Sequence, residues 1–192
     1  MLKNIPGTVL EWNEGLSHNA FLVLSPVLSV TKGLTLSQLK ELTGLESSTI
    51  QNWVKRGWVE SPTGKRYGEQ QIVRIILINM LRNSMQLEKI AALMNYINGK
   101  VDDRSDDIIP DRELFSVMCS VISEVDKLQT ADREQIKEII EKELSDYTGP
   151  NADSKEKLER AVLCMTLGFI SSEIKKESDP EFNRLFNKGE SL

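Results

Sequence analysis

The chain has 192 residues, 40% of them hydrophobic and 28% charged, which is enough apolar material for a buried core in one or two domains. Its one histidine, His18, excludes a histidine-based metal site or a Ser-His relay within a single chain. The formal charge of −5 is unevenly divided, with eleven Lys and Arg against seven Asp and Glu in residues 1–100 and thirteen against twenty-two in the rest, so nucleic-acid contact by the whole surface is excluded and any such contact belongs to the N-terminal half.

Residues 1–30 read as a lead-in segment that packs on the head formed by residues 31–99. The apolar run at residues 20–24 is interrupted by Ser25-Pro26 and is too short for a bilayer, and it lacks the basic flank and small-residue cleavage site of a secretory signal. We therefore expect a cytoplasmic protein without membrane contact, whose lead-in lays Trp12, Phe21, Leu24 and Val27 against the head and bends at Pro26.

Residues 31–99 carry the most informative pattern. Thr35 and Ser37 can cap a helix through Leu39 and Leu42, and Gly44 permits a tight turn after it. Ser47 and Ser48 offer caps for a second helix, in which Ile50, Trp53 and Val54 recur at helical spacing until Gly57. Two short helices about a glycine turn predict a helix-turn-helix, whose second helix, about residues 47–56, lies in a DNA major groove. With Ile50, Trp53 and Val54 turned inward, the outer faces hold Ser48, Thr49, Gln51, Asn52, Lys55 and Arg56. Gln and Asn pair bidentately with adenine, Ser and Thr reach base edges or phosphates, and Lys and Arg neutralise phosphates.

The next segment, Trp58-Val59-Glu60, a turn at Ser61-Pro62-Thr63-Gly64 and a return at Lys65-Arg66-Tyr67, predicts a small β-hairpin wing over residues 59–67. Lys65 and Arg66 would lie over a phosphate backbone with Tyr67 beside them. Tyr67 also reads as a core cover, and Trp53 and Trp58 read as core.

Two helices come next, one over about residues 69–83 that is too apolar for a free surface and one from Leu87 to Ile97 that stops at Asn98-Gly99. Residues 100–110 form an acidic linker. Its Asp102, Asp103, Asp106 and Asp107 lack the Gly and terminal Glu of a calcium loop. Residues 111–177 predict a helical bundle and dimerisation domain: helices opening at Asp111 and Asp132, then a third after residue 154 with two apolar stripes. Leu158, Val162, Met165 and Phe169 form one stripe, and Leu163, Leu167, Ile170 and Ile174 the other. A helix apolar on two sides must be covered on both, which points to a twofold mate. Residues 178–192 read as a mobile tail. Cys119 and Cys164 lie in apolar helical stretches and read as reduced core residues, and Met85, Met94 and Met118 as core filler.

The order of helix-turn-helix, Gly57, wing, Tyr67, then Glu69-Gln70-Gln71-Ile72 and Leu87-Glu88-Lys89-Ile90 opening two helices, resembles the DNA-binding domain of MerR-type regulators. More closely, Thr49-Ile50-Gln51-Asn52-Trp53-Val54-Lys55-Arg56-Gly57-Trp58, with Ile78-Asn79-Met80-Leu81-Arg82 and Tyr96-Ile97-Asn98-Gly99, resembles an uncharacterised bacterial family of unknown function that shares this MerR-like module. The resemblance implies that Ser48, Gln51 and Asn52 occupy recognition-helix positions and Lys65 and Tyr67 the wing's basic-aromatic pair. The chain departs from MerR proteins in carrying Gln51 and Asn52 where they usually have Arg and Tyr, and in lacking their long heptad helix and effector-binding cysteines.

These readings imply a mainly α protein: a MerR-like winged helix-turn-helix head followed by a helical C-terminal domain. The expected partners are double-stranded DNA and a second copy of the chain, and the expected function is sequence-specific transcriptional regulation. No phosphate-cradling Gly loop, metal-ligand spacing or nucleophile beside a base argues for an enzyme, a cofactor or a metal. The alternative is a protein-protein adaptor built on the same fold. Lys55, Arg56, Lys65 and Arg66 favour DNA, since a protein-binding face more often shows apolar anchors.

Overall fold

A computed structural model describes residues 2–13, 15, 31–99, 107–128 and 132–186. Among them run seven helices: α1 (Leu36–Thr43), α2 (Ser47–Lys55), α3 (Glu69–Leu81), α4 (Leu87–Asn98), α5 (Asp111–Lys127), α6 (Arg133–Glu143) and α7 (Ser154–Phe186). The fold is mainly α, and none of the described helices is long and apolar enough to cross a membrane. Phe21, Leu24 and Val27 of the lead-in, His18, and Asp102, Asp103 and Asp106 of the acidic segment lie outside the described residues.

The most apolar helix takes the centre. On α3, Ile72, Val73, Ile75, Ile76, Leu77 and Leu81 are wholly buried, because a helix without a polar face has to be covered all round. α1 and α4 pack against it from one half of the chain, and α5 and α7 from the other. The buried side chains of both halves form one continuous cluster, from Leu39, Ile50 and Trp53 to Phe115, Met118, Ile140 and Val162. Close contacts tie α3 to the chain before α1 and to the end of α1. Gly7 has a φ of +76°, and a Cβ there would stand 2.3 Å from the Ile76 carbonyl oxygen, an approach and a backbone that only glycine permits. Asn79 Nδ2 donates to the carbonyls of Gly7 (2.8 Å) and Thr43 (2.9 Å).

A buried ion pair crosses between the halves. Arg74 of α3 donates through Nη1 to both carboxylate oxygens of Asp111 on α5, at 3.2 and 3.4 Å, with side chains 6% and 2% exposed. Asn98, closing α4, donates to the same carboxylate at 3.0 Å and accepts from the Ile109 amide at 3.4 Å. Charges so far from water are tolerated only when paired and hydrogen-bonded.

In the C-terminal half, Leu114, Phe115, Met118, Val121, Ile122 and Val125 of α5 are buried as their spacing predicts, as are Ile136 and Ile140 of α6. Asp132 caps α6 by accepting from the amides of Glu134 and Gln135. On α7 the first stripe is buried, whereas Leu163 and Ile170 are half-buried and Leu167 and Ile174 stand 39% and 62% exposed. The turn between α3 and α4 reaches α7 at Gly168, where a Cβ would meet Met85 Sδ and Ser84 Oγ at 3.3 Å. The helix also runs further than its sequence suggests. Pro180, which has no amide hydrogen to donate, is accommodated inside a helix that continues to Phe186, so residues 178–186 of the expected tail are helical. Cys119 is buried, but Cys164 is exposed rather than a core residue.

Candidate nucleic-acid interface

The two short helices α1 and α2 form where the spacing places them. Thr35 caps α1 by accepting from the Gln38 amide, and the Gln38 side chain accepts from the Thr35 amide in return. Gly44 ends α1 in the left-handed conformation, φ +68°, and returns a hydrogen bond to the Lys40 carbonyl. Glu46, not Ser47 or Ser48, occupies the cap position of α2, without a side-chain bond to the helix. Ser47 and Ser48 are instead the first helical residues. Lys40 and Glu46 pair at 2.9 Å across the turn.

Ile50 and Trp53 of α2 are buried, which fixes the rotation of the helix. Ser48, Gln51, Asn52 and Lys55 consequently share its exposed side, at i, i+3, i+4 and i+7, with Thr49 half-buried at the edge. These four belong to the six residues that sequence spacing turns outward; Thr49 is the one of the six that is half-buried. Arg56 is exposed but engaged: its guanidinium lies 5.0 Å above the Trp58 ring and pairs with Glu88 of α4 at 3.0 Å. It works as a strap from the end of α2 to the start of α4, and only in part as a free cation.

The expected β-hairpin wing is not built as strands. Thr63 and Arg66 exchange both backbone hydrogen bonds, at 3.1 and 3.0 Å, around Gly64 (φ +57°) and Lys65 (φ +65°), the positive angles that a two-residue type I′ turn requires. The turn is therefore centred two residues later than its sequence suggests. Pairing stops there for a physical reason. Gly68, which would face Ser61 in the next hydrogen-bonded pair, gives its amide to the Gln71 side chain as the cap of α3, and the Ser61 carbonyl accepts from Gln71 Nε2 at 3.0 Å; the Tyr67 backbone, turned to the outer edge, exchanges bonds with Leu34, which precedes α1, at 2.8 and 2.9 Å. The segment is a tight turn docked beside α1 by one bridge.

That docking moves two of the expected contacts. Tyr67, placed by sequence on the DNA-facing side, is only 3% exposed, and burial pushes its hydroxyl above the ordinary phenol range; it is a core residue with no surface for DNA. Arg66 is exposed but spends one N–H on the Gly33 carbonyl at 3.0 Å. Lys65 projects from the tip of the turn. The same bond brings in a residue that sequence reasoning missed: Lys32, exposed and with a φ of +52°, adjoins Gly33 and so stands at the same end as Lys65 and Arg66. The Lys32-Gly33 dipeptide before a capped helix is the signal that could have found it. Gly33 itself is obligatory, since at φ +106° a Cβ would lie 2.3 Å from the Tyr67 carbonyl oxygen.

On the other side of α2, a cleft of about 470 Å3 opens between Val54, Trp58 and Val59 and the facing Ile78 and Met94, with Arg74 at its wall already held by Asp111. Among the described residues no three His, Cys, Asp or Glu side chains gather as a metal site. The Cys119 thiol is held protonated by burial.

Residues 19–117 match the model of a domain of unknown function, DUF1836. The chain belongs to this family. The matched stretch contains the exposed side of α2, the turn at 63–66 and Lys32. The chain is also 30% identical over 122 residues to YkrK, an uncharacterized protein of Bacillus subtilis (strain 168), in an alignment covering 60% of this chain and 52% of that protein, so the chain spans about half the length of this relative. No solved structure matches the chain. The expected kinship with an uncharacterised family is thus met.

Proposed function

We propose that the chain is a sequence-specific, cytoplasmic DNA-binding regulator acting as a homodimer, with α2 in the major groove and the 63–66 turn on the phosphate backbone, in the manner of a MerR-like head. One observation carries the reading: α2 buries Ile50 and Trp53 beneath a side made of Ser48, Gln51, Asn52 and Lys55. This side has hydrogen-bonding groups suited to base edges and no large apolar anchor. Lys32, Lys65 and Arg66 add a basic end beside α1, the complement of a neighbouring phosphate run. The modest positive excess of the N-terminal half makes a single head a weak binder, and two linked heads on spaced half-sites compensate.

The test starts from genomic fragments retained by the purified protein. On duplexes carrying the enriched sequence, Gln51→Ala and Asn52→Ala each weaken binding by about 1–3 kcal/mol while binding to scrambled duplexes is unchanged. Fluorescence anisotropy reads both. Equal losses on the two duplexes remove these residues from base reading, and no retained DNA at all favours the adaptor.

A further inference from the structure

The cleft beside α2 has in its wall a hydrogen-bond donor that the fold leaves unused. Arg74 lines it with a side chain only 6% exposed. Both bonds to Asp111 come from Nη1, and Nε has no hydrogen-bond partner. The edge made by Nε and Nη2, the fork with which arginine grips an oxygen, is therefore not the one that holds the carboxylate. A buried N–H without an acceptor is costly and native proteins keep few of them. One in the wall of an open cleft points to an oxygen supplied from outside the chain.

We propose that this cleft binds an uncharged, planar small molecule bearing a carbonyl, an aromatic amide or lactam, whose oxygen accepts from the Arg74 fork. Its volume of about 470 Å3 is that of a small-ligand site. Val54, Trp58, Ile78 and Met94 supply apolar wall, and the Trp58 indole gives a ring a flat surface to lie on. Asn95, exposed at the rim, offers a side-chain amide to a second polar group. Charge decides between classes of ligand. Asp111 already cancels the charge of Arg74, and Glu60 adds a carboxylate to the lining, so a bound anion meets repulsion in a site partly closed to water. A cation has no acceptor to offer the fork. A neutral carbonyl oxygen, with two lone pairs, takes both N–H groups and leaves the charge balance as it is.

The site also bears on the reading head, a consequence that rests on the DNA reading above. The cleft is walled by three helices: Val54 belongs to α2, Arg74 and Ile78 to α3, and Ala91, Met94 and Asn95 to α4. The Arg56 to Glu88 pair adjoins it, since Glu88, Ala91 and Asn95 follow one another along one face of α4. A molecule seated there braces the end of α2 against α3 and α4, and with it the side that carries Gln51 and Asn52. Occupancy and DNA binding are then linked through the position of α2.

The experiment uses the full chain and three probes of one shape, benzamide, benzoate and benzamidine, which are neutral, anionic and cationic. Nitrogen-proton NMR spectra follow the backbone amides of Gly57, Ala91 and Asn95 and the Arg74 Nε–H, whose burial slows its exchange with water. The expected result is a saturable shift of all four signals with benzamide, at a dissociation constant of about 1 mM, and binding weaker by about tenfold or more for the two charged probes. Ala91→Leu enlarges a side chain in the α4 wall and is expected to abolish these shifts with the rest of the spectrum unchanged. An Arg74 Nε–H signal that benzamide does not move, benzoate binding as tight as benzamide binding, or undiminished benzamide binding by Ala91→Leu overturns the proposal. On the enriched duplex, saturating benzamide is expected to change the affinity by about fivefold or more; an unchanged affinity in the presence of the NMR shifts overturns the link to α2. The titrations use no DNA, so failure of the site and failure of the DNA reading are separately visible.

Discussion

Asp111→Ala should be among the most damaging single changes in the chain. The substitution removes the acid partner of the Arg74 guanidinium, which is 6% exposed and has its Nε already without a hydrogen-bond partner. Breaking a buried pair from one side leaves an uncompensated charge and costs about 3–5 kcal/mol. Loss of a carboxylate from the first turn of α5 adds about 0.3–1 kcal/mol through the helix dipole. Set against a total stability of about 5–15 kcal/mol, this lowers the melting temperature by about 7–24 °C for a chain of this size. The double variant Arg74→Met with Asp111→Leu removes both charges and should recover most of the loss. It should not recover all of it, because Asn98 Nδ2 then lacks the acceptor it has at 3.0 Å, at about 1–3 kcal/mol. Urea unfolding followed by far-UV circular dichroism measures all three proteins. A loss below about 1 kcal/mol for Asp111→Ala, with an unchanged denaturant slope, refutes the claim that this pair couples α3 to α5.

Lys32→Ala, Lys55→Ala and Lys65→Ala should each reduce the dependence of log affinity on log salt by about one unit, while Arg56→Ala changes it less because Glu88 already neutralises that side chain; flat salt responses for all three lysines speak for the adaptor. Gly57→Ala meets nothing within 4 Å and bears only the left-handed backbone penalty of about 1 kcal/mol, whereas Gly7→Ala also drives a methyl into the Ile76 carbonyl. Equal denaturation midpoints for those two variants would show the Gly7 approach to be unimportant. Finally, a thiol-reactive dye should label Cys164 at once and Cys119 only on unfolding, since burial raises the Cys119 pKa and keeps the thiolate away at neutral pH; two fast equivalents would contradict the burial.

Local patterns were legible in the sequence, and long-range choices were not. Thr35, Gly44 and Gly57 announce the two helices of the head, and the alternation of apolar residues in α3 and α5 gives their buried faces, because caps and periodicity act over one or two turns. The wing went astray because its outcome depends on a competition. The Gly68 amide and the Ser61 carbonyl, which a longer hairpin would pair, both go to the Gln71 side chain, and nothing local reveals that Tyr67 pairs with Leu34. The same pairing explains why Tyr67 sits in the core and why Lys32 joins the basic end. Of the outward set on α2, Ser48, Gln51, Asn52 and Lys55 follow directly from burial of Ile50 and Trp53. Arg56 does not, since its Glu88 partner lies thirty-two positions away. The helicity of residues 178–186, expected as tail, was not legible: the helix runs on through Pro180 and tolerates the lost hydrogen bond there.

The segment shared with the family stops at residue 117, in the middle of α5, and takes no part of α7. Yet α3, at the heart of that segment, rests on both. The inherited unit is therefore not a free-standing brick. In this chain α5 and α7 are the roof of α3, and grafting the shared segment onto another chain means transplanting both with it or accepting a sticky, half-open fragment. Sequence kinship and the smallest foldable piece have different edges here, and a deletion series cut at the former would report on misfolding.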